Sequence, residues 1–334
     1  MSDYNGKKIL ITGGTGSLGY ALTKRLLNLE VDTIRIFSRN ENKQIEMEDC
    51  FQNDKIRFLI GDVRDSPRLE KALEGIDIVF HAAALKHVPV IEYNPFEAIK
   101  TNVLGAQNLI DTCLKQNVDT VVGVGTDKAV SPLNTYGATK LLMEKLLTTA
   151  QNYLDKEKYK TKFLAVRYGN VLGSSGSVLP KFVNQIRNKQ KITITDPNMT
   201  RFSLTMDEAI DHILSSTLLG KISEVFIPKA RSYTITDLKE ALFELLEDTG
   251  EDIISSRPGE KKHEILINSD EAKFAWEFDN KYVIFNPFRN EDEIKSAHPG
   301  IKKANFLIDY TSEMVEKIPK NELKQIITDC GFLK

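Results

Sequence analysis

Three features of this chain predict a doubly wound α/β fold, an open parallel sheet with helices on both faces. Short apolar runs alternate with helical patterns through the first half, a glycine cluster follows the first run, and several runs are almost entirely apolar. Strands buried on both faces carry no polar side, and VVGVG and DIVF fit that rule.

The predicted strands are KKILIT (7–12), TIRIFS (33–38), KIRFLIG (55–61), DIVFHAA (77–83), TVVGVG (120–125) and KFLAVRYG (162–169). Helical patterns fill 18–29, 68–73, 95–115 and 136–152 between them. Past Asn170 the character changes. A Gly/Ser-rich loop, GSSGSVLP, leads to a helix at 181–189 and the short strand KITIT; EVFIPKA and a helix after Thr236 continue the mixed pattern. Residues 252–269, around RPGEKKHE, read as a polar loop leading into the apolar segment HEILI. We therefore expect one unit over 1–170 and a smaller mixed α/β unit over 171–334, with about 203–230 returning to the first. The last fifty residues are rich in Lys, Glu and Asp and hold little readable chemistry.

At 334 residues, 41% apolar and 28% charged, the chain can bury a large core. A net charge of -2 gives no reason to expect nucleic acid or an acidic membrane surface as partner. The start, MSDYNGKKILITGG, lacks a signal pattern and no apolar run reaches membrane-spanning length, so a cytoplasmic protein is expected. Cys50, Cys113 and Cys330 are odd in number and form no CxxC pair, and the five histidines show no paired spacing. Neither a disulfide framework nor a metal site is expected.

In ILITGGTGSLGYAL, Gly14, Gly16 and Gly19 satisfy G-x-G-x-x-G, and Gly13, Gly16 and Gly19 the related G-x-x-G-x-x-G. Thr15, Ser17 and Leu18 lie between them. A pyrophosphate site needs glycine for a tight turn, close backbone approach and helix–strand packing, and the helix amino terminus offers free N–H groups. The unit over 1–170 is thus predicted to be Rossmann-type and to bind a dinucleotide. Where NAD enzymes place a carboxylate at the end of the second strand, this chain has Ser38 and Arg39, with Asn40 and Lys43 close behind. A guanidinium suits a 2′-phosphate, so NADP is the expected cofactor. Asp62 and Val63, after the third strand, are placed for the adenine.

YGATK puts Tyr136 and Lys140 four apart, on one helix face. A phenol with a pKa of about 10 becomes a usable base at neutral pH when a nearby ammonium stabilises its phenolate. The fifth strand ends in Thr126, Asp127 and Lys128, and strand carboxyl ends of an open parallel sheet face the ligand crevice.

These blocks together resemble a known family. TGGTGSLG, SRNENKQ, GDVRD, HAAALKHVPVIEYNP, TNVLGAQN, GTDKAVSPLNTYGATK, RYGNVLGSSGSVLP, MTRFSLT and RPGEKKHE run in order as in soluble UDP-N-acetylglucosamine 4,6-dehydratases of the extended short-chain dehydrogenase/reductase superfamily. The inverting members that begin pseudaminic acid synthesis are the most similar; the match runs from residue 7 to about 285. The resemblance implies that Tyr136 takes the sugar O4 proton while NADP accepts hydride from C4. Lys128 then removes the C5 hydrogen, protonated Asp127 donates to the departing O6, hydride returns to C6, and C5 is reprotonated, on the opposite face for inversion. That scheme requires Lys128 to become neutral, with a pKa below about 10.4, and Asp127 to become protonated.

The resemblance also implies that Ala82 and Lys86 line the nicotinamide ribose and sugar, and that Asn102 supports the active-site lysine. It places Asn170, Val171 and Lys181 in the substrate loop, and Arg257 and Glu260 against the diphosphate and uridine ribose. Arg201 suits a structural role as well as a substrate contact, and His81 and His87 read as structural. Dimers or hexamers are implied. Two rival readings remain: a UDP-sugar 4-epimerase or reductase without dehydration, and a non-catalytic NADP-binding regulatory protein. Tyr136 and the lack of an apolar anchor favour inversion at C5.

Overall fold

The first apolar run becomes β1 (Lys8–Thr12), whose Ile9, Leu10 and Ile11 are all fully buried because helices cover the sheet on both sides. Ile9 and Ile11 pack on one face with Leu22, Leu26, Ile210 and Ile213, while Leu10 packs on the other with Val79, Leu109, Val121 and Leu147. The structure is a computed structural model; it describes residues 4–152, 154–155, 157–174, 176–256, 259–306, 308–331 and 333.

The strands that follow are β2 (Thr33–Ser38), β3 (Ile56–Ile60), β4 (Ile78–His81), β5 (Thr120–Val124) and β6 (Lys162–Val166). All six lie parallel in the order β3-β2-β1-β4-β5-β6, so the chain switches sides between β1 and β4. In an open α/β sheet that switch opens the ligand crevice. The doubly wound parallel sheet expected from the sequence is what the chain forms.

The helices on the sheet are α1 (Ser17–Leu27), α2 (Glu41–Phe51), α3 (Ser66–Leu73), α4 (Val88–Tyr93), α5 (Pro95–Ala98), α6 (Gly105–Lys115) and α7 (Thr135–Ala150). Two of these depart from the sequence reading. Residues 41–51 had no predicted element, yet they form α2, started by the Asn40 side chain accepting from the Lys43 N–H. The helix expected over 95–115 is interrupted by a π-helical turn at Ile99–Leu104. Within that turn Asn102 is buried and clasps the β4–α4 loop: its Oδ1 accepts from Leu85 N at 2.8 Å and its Nδ2 donates to Leu85 O at 3.0 Å.

Beyond β6 come β7 (Asn170–Val171), α8 (Val178–Arg187), β8 (Ile192–Ile194), β9 (Thr200–Leu204), α9 (Met206–Leu219), β10 (Val225–Pro228), β11 (Arg231–Thr234) and α10 (Ile235–Leu245). β10 pairs parallel with β6, so residues within 203–230 extend the large sheet. So does a later hairpin, β14 (Ala275–Phe278) with β15 (Lys281–Ile284), preceded in the chain by β12 (Glu251–Ile253) and β13 (Ile265–Ile267). β12 lies inside the stretch read as a loop; it pairs with β8. A separate three-stranded sheet, β11-β9-β7, lies beyond the carboxyl ends of the parallel strands, and its neighbours α8 and α10 enclose their own core around Leu179, Phe182, Ile192 and Leu238. Among the described residues, no helix is long and apolar enough to cross a membrane.

Candidate active site

The turn between β1 and α1 is glycine because neighbouring backbone leaves no room for a side chain. A Cβ on Gly13 would stand 2.8 Å from Ala83, and one on Gly19 would stand 2.4 Å from Gly14 O. Gly13 also has φ 68°, in the left-handed region glycine favours. A Cβ on Gly14 would meet Ile36 at 2.9 Å, which packs the turn onto β2. Gly16 is the N-cap of α1 and brings no side-chain acceptor, so the helix amino terminus is capped by no side chain of its own. Thr15, Ser17 and Leu18 complete this turn. A close backbone cradle at a helix amino terminus fits a pyrophosphate.

At the end of β2, Ser38 is buried with its Oγ accepting from Gln44 Nε2 at 3.0 Å, while Arg39 remains half exposed. Arg39 Nη1 lies 3.8 Å from Asp62 Oδ2. Asp62 also accepts from Arg64 N and from Arg64 Nε, each at 2.9 Å. Against the effect of burial, those bonds and the Arg39 charge hold its carboxyl below the usual range. The Asn40 side chain caps α2, and Lys43 is exposed one turn on. Val63 is buried against Gly105 at the base of α6. Ala82 donates its N–H to Thr12 O at 3.1 Å, which sets the chain after β4 beside the glycine turn; Lys86 is exposed farther along that loop.

The carboxyl end of β5 carries the densest group of reactive side chains. Thr126 Oγ1 donates to Asp127 Oδ1 at 2.8 Å and shares a side-chain hydrogen bond with Tyr136 from α7. Asp127 is buried, and its Oδ2 has no hydrogen-bond partner. Lys128 Nζ donates to Asp127 Oδ1 at 3.1 Å and to Asn170 Oδ1 of β7 at 3.3 Å. It also lies 3.4 Å from Glu264 Oε1, just before β13. Glu264 was missed in the sequence because it precedes an apolar run and looks like the edge of a strand.

Electrostatics here differ from the sequence expectation in two ways. Burial pushes the Tyr136 phenol above its ordinary value; the counteracting charge comes from Lys128, helped by the Thr126 hydrogen bond. Lys140, the predicted helper, is turned to Met143 Sδ at 3.0 Å, and its charge bears on His81 instead. Burial lowers Lys140 to about 8, partly offset by Glu144. Lys128 moves the other way from what a base requires. Although burial would lower it, the charges of Asp127 and Glu264 hold it above its ordinary value.

Of the remaining predicted residues, Asn170 shares a hydrogen bond with Tyr233, and Val171 is buried in β7. Lys181 on α8 donates to Thr193 O at 3.4 Å and to Thr193 Oγ1. Glu260 Oε1 pairs with Arg201 Nη2 at 3.6 Å. Arg201 is buried, and its Nε lies 3.7 Å from Glu264 Oε1, which joins it to the Lys128 group. Asn102 Nδ2 donates to Thr139 Oγ1 at 3.0 Å, one residue before Lys140. His81 is fully buried with Nδ1 at 2.8 Å from Thr12 Oγ1, and His87 is the exposed N-cap residue of α4. Arg257 lies outside the described residues.

A family model described as "Polysaccharide biosynthesis protein" matches residues 9–286. The chain belongs to this family of extended short-chain dehydrogenase/reductases. Within it, the chain is 48% identical over 283 residues to a UDP-N-acetylglucosamine 4,6-dehydratase (inverting) of Campylobacter jejuni, covering 84% of this chain and 83% of that one. It is 40% identical to a UDP-glucose 4-epimerase of Rickettsia bellii, covering 98% and 97%. The solved structure of Pen from Bacillus thuringiensis superposes with a TM-score of 0.90 at 38% identity, covering 99% of this chain and all of that one. The Rossmann-type sheet and its glycine turn are thus those of a short-chain dehydrogenase/reductase enzyme.

Proposed function

We propose that the protein dehydrates UDP-N-acetylglucosamine to a UDP-4-keto-6-deoxy-hexosamine, with inversion at C5, using NADP held in the crevice between β1 and β4. What carries the reading is the convergence of Asp127, Lys128, Tyr136 and Thr126 at the carboxyl end of β5. Oxidation alone would need the phenol; the carboxyl and amine beside it are the pair that an elimination needs. The name of the Campylobacter jejuni relative agrees with this chemistry.

The glycine turn, with no space for a Cβ at Gly13 or Gly19, fits the pyrophosphate of a dinucleotide, and exposed Arg39 and Lys43 suit a 2′-phosphate. Bound there, a nicotinamide ring supplies a two-electron acceptor that returns what it takes, so none is consumed. Tyr136 handles the proton at O4. The ketone formed at C4 acidifies the C5 hydrogen, and Lys128 removes it. Asp127, with its unpartnered Oδ2, donates to O6 as water leaves. C6 then receives the hydride taken from C4, and C5 takes a solvent-derived proton on its opposite face, which gives the inverted product. Because Lys128 is held as an ammonium and Tyr136 as a phenol, both must shed a proton during turnover. Transfer from Lys128 to Asp127 across 3.1 Å produces amine and carboxylic acid in one step. Asn170, Lys181, Glu260 and Arg257 are assigned to the nucleotide sugar, and Lys86, Ala82 and Val171 to the sugar and nicotinamide ribose.

A 4-epimerase reading is favoured by the name of the Rickettsia bellii relative. Incubating the purified protein with UDP-N-acetylglucosamine in deuterated water decides between them by proton NMR. Dehydration gives a 6-deoxy 4-keto sugar with deuterium at C5 and the inverted configuration. An epimerase gives UDP-N-acetylgalactosamine that keeps its C5 hydrogen, and that result would remove the lyase assignment. Asp127→Asn should block loss of water more than oxidation.

A further inference from the structure

An ammonium has three N–H donors, and three oxygens surround Lys128 Nζ. Asp127 Oδ1 and Asn170 Oδ1 accept hydrogen bonds at 3.1 and 3.3 Å, and Glu264 Oε1 pairs with it at 3.4 Å. The third of these has no part in the reaction described above. Yet Glu264 is 3% exposed, and its Oε2 has no hydrogen-bond partner. Burying a carboxyl with one oxygen unsatisfied is costly, so the fold must hold it against compensating charge. Glu264 Oε1 meets that need from two sides, with Lys128 at 3.4 Å and Arg201 Nε at 3.7 Å.

We propose that Glu264 is a positioning residue for the dehydration: it completes the oxygen shell of the Lys128 amine and sets the pH at which that amine can release a proton. The proposal rests on Lys128 being the C5 base. When Lys128 gives a proton to Asp127, an N–H bond breaks, an O–H bond forms, and an ion pair becomes two neutral groups. The Glu264 charge opposes that step by favouring the ammonium, and Arg201, paired with the same oxygen, relieves the opposition. The other groups facing Lys128 are Tyr136 from α7, Tyr233 from β11, and Lys261 from the segment before β13. Glu260 pairs with Arg201 from that segment; His263 is turned away, to Thr200 Oγ1 at 2.8 Å and Glu313.

Glu264→Gln keeps the shape and one acceptor oxygen while removing the charge. Two readouts test it: the titration of Lys128 by ¹³Cε NMR of lysine-labelled protein, with its resonance assigned by its loss in Lys128→Met, and the pH profile of kcat. In Glu264→Gln the Lys128 midpoint and the falling limb of log kcat, set by loss of the one proton that Lys128 and Asp127 share, should both move to lower pH by about one to three units, with KM unchanged. A midpoint and limb that coincide with wild type would overturn the proposal, even with a lower kcat, because a purely structural loss scales the rate at every pH. If Glu264→Gln fails to fold, Glu264→Asp carries the same test, with a smaller shift of the same sign. Should the wild-type protein form no 4-keto sugar, the dehydratase reading fails, and the NMR midpoint still decides whether Glu264 controls Lys128.

Discussion

The Arg167 guanidinium, at the end of β6, reaches Glu144 Oε1 of α7 at 2.5 Å with both side chains fully buried. It also donates to Glu271 Oε2 at 2.8 Å and to Leu266 O at 2.8 Å. One side chain thereby ties the helix that carries Tyr136 and Lys140 to the segment that follows Glu264. Burial opposes these charges, and their mutual attraction holds Glu271 below its ordinary value while raising Arg167. Arg167→Met would leave two carboxyls without their cation. Removing one partner of a buried ion pair costs about 3–5 kcal/mol, so the urea midpoint should fall by that equivalent with the m-value unchanged.

Two glycines of the β1–α1 turn should separate folding from binding. In Gly19→Ala the new methyl would stand 2.4 Å from Gly14 O and 2.5 Å from Gly14 Cα, and backbone cannot yield cheaply. We expect a loss of about 1–3 kcal/mol in stability together with weaker dinucleotide binding. In Gly16→Ala the methyl meets only Gly13 O, at 3.3 Å. Stability should fall by about 1 kcal/mol or less, the usual cost at an N-cap, while dinucleotide affinity drops about tenfold or more because the methyl stands where backbone must approach phosphate. Fluorescence titration with NADPH, paired with thermal melts, reads both quantities.

These contrasts also mark what the sequence made legible. The parallel sheet was readable because VVGVG and DIVF are strands buried on both faces, and the glycine turn because its spacing follows from sterics between Gly13, Gly14 and Gly19. Tyr136, Asp127 and Lys128 were readable from helix spacing and strand ends. Glu264 was not, since its partners Lys128 and Arg201 lie 136 and 63 positions away in the chain, and only the fold brings them together. Local spacing also misassigned the charge next to Tyr136. Four residues along a helix place Lys140 on the same face, but its terminus turns to Met143, and Lys128 from the neighbouring turn supplies the charge. The π-helical turn around Asn102 escaped notice because the residue it holds, Leu85, belongs to a different loop.

Burying Lys140 carries a stability cost. Burial lowers it to about 8 from 10.5, so between those values the unfolded chain holds a proton that the folded chain has lost. Stability therefore rises with pH across that window, and below pH 8 the cost is fully present. Its size is about 3 kcal/mol. Lys140→Met should therefore raise the unfolding free energy at pH 7 by up to about that amount, and flatten its pH dependence between 8 and 10.5. Urea melts at a series of pH values check the slope. An unchanged slope would mean that Lys140 is hydrated in solution.

Acid should act through the buried His81 and His212, and with the same sign. Burial lowers His81 to about 3, with Lys140 repelling its charged form, and burial lowers His212 to about 3 against its hydrogen bond to Phe226 O. The unfolded chain takes up a proton at each as pH falls through about 6.5, whereas the folded chain resists until about 3. Stability is thus intact above pH 6.5 and is lost steadily below it, at about 2.7 kcal/mol per pH unit for the pair. His212→Asn should remove about half of that slope between pH 4.5 and 6. Unfolding free energies measured across that range test the assignment, and a slope identical to wild type would show that His212 is not held neutral.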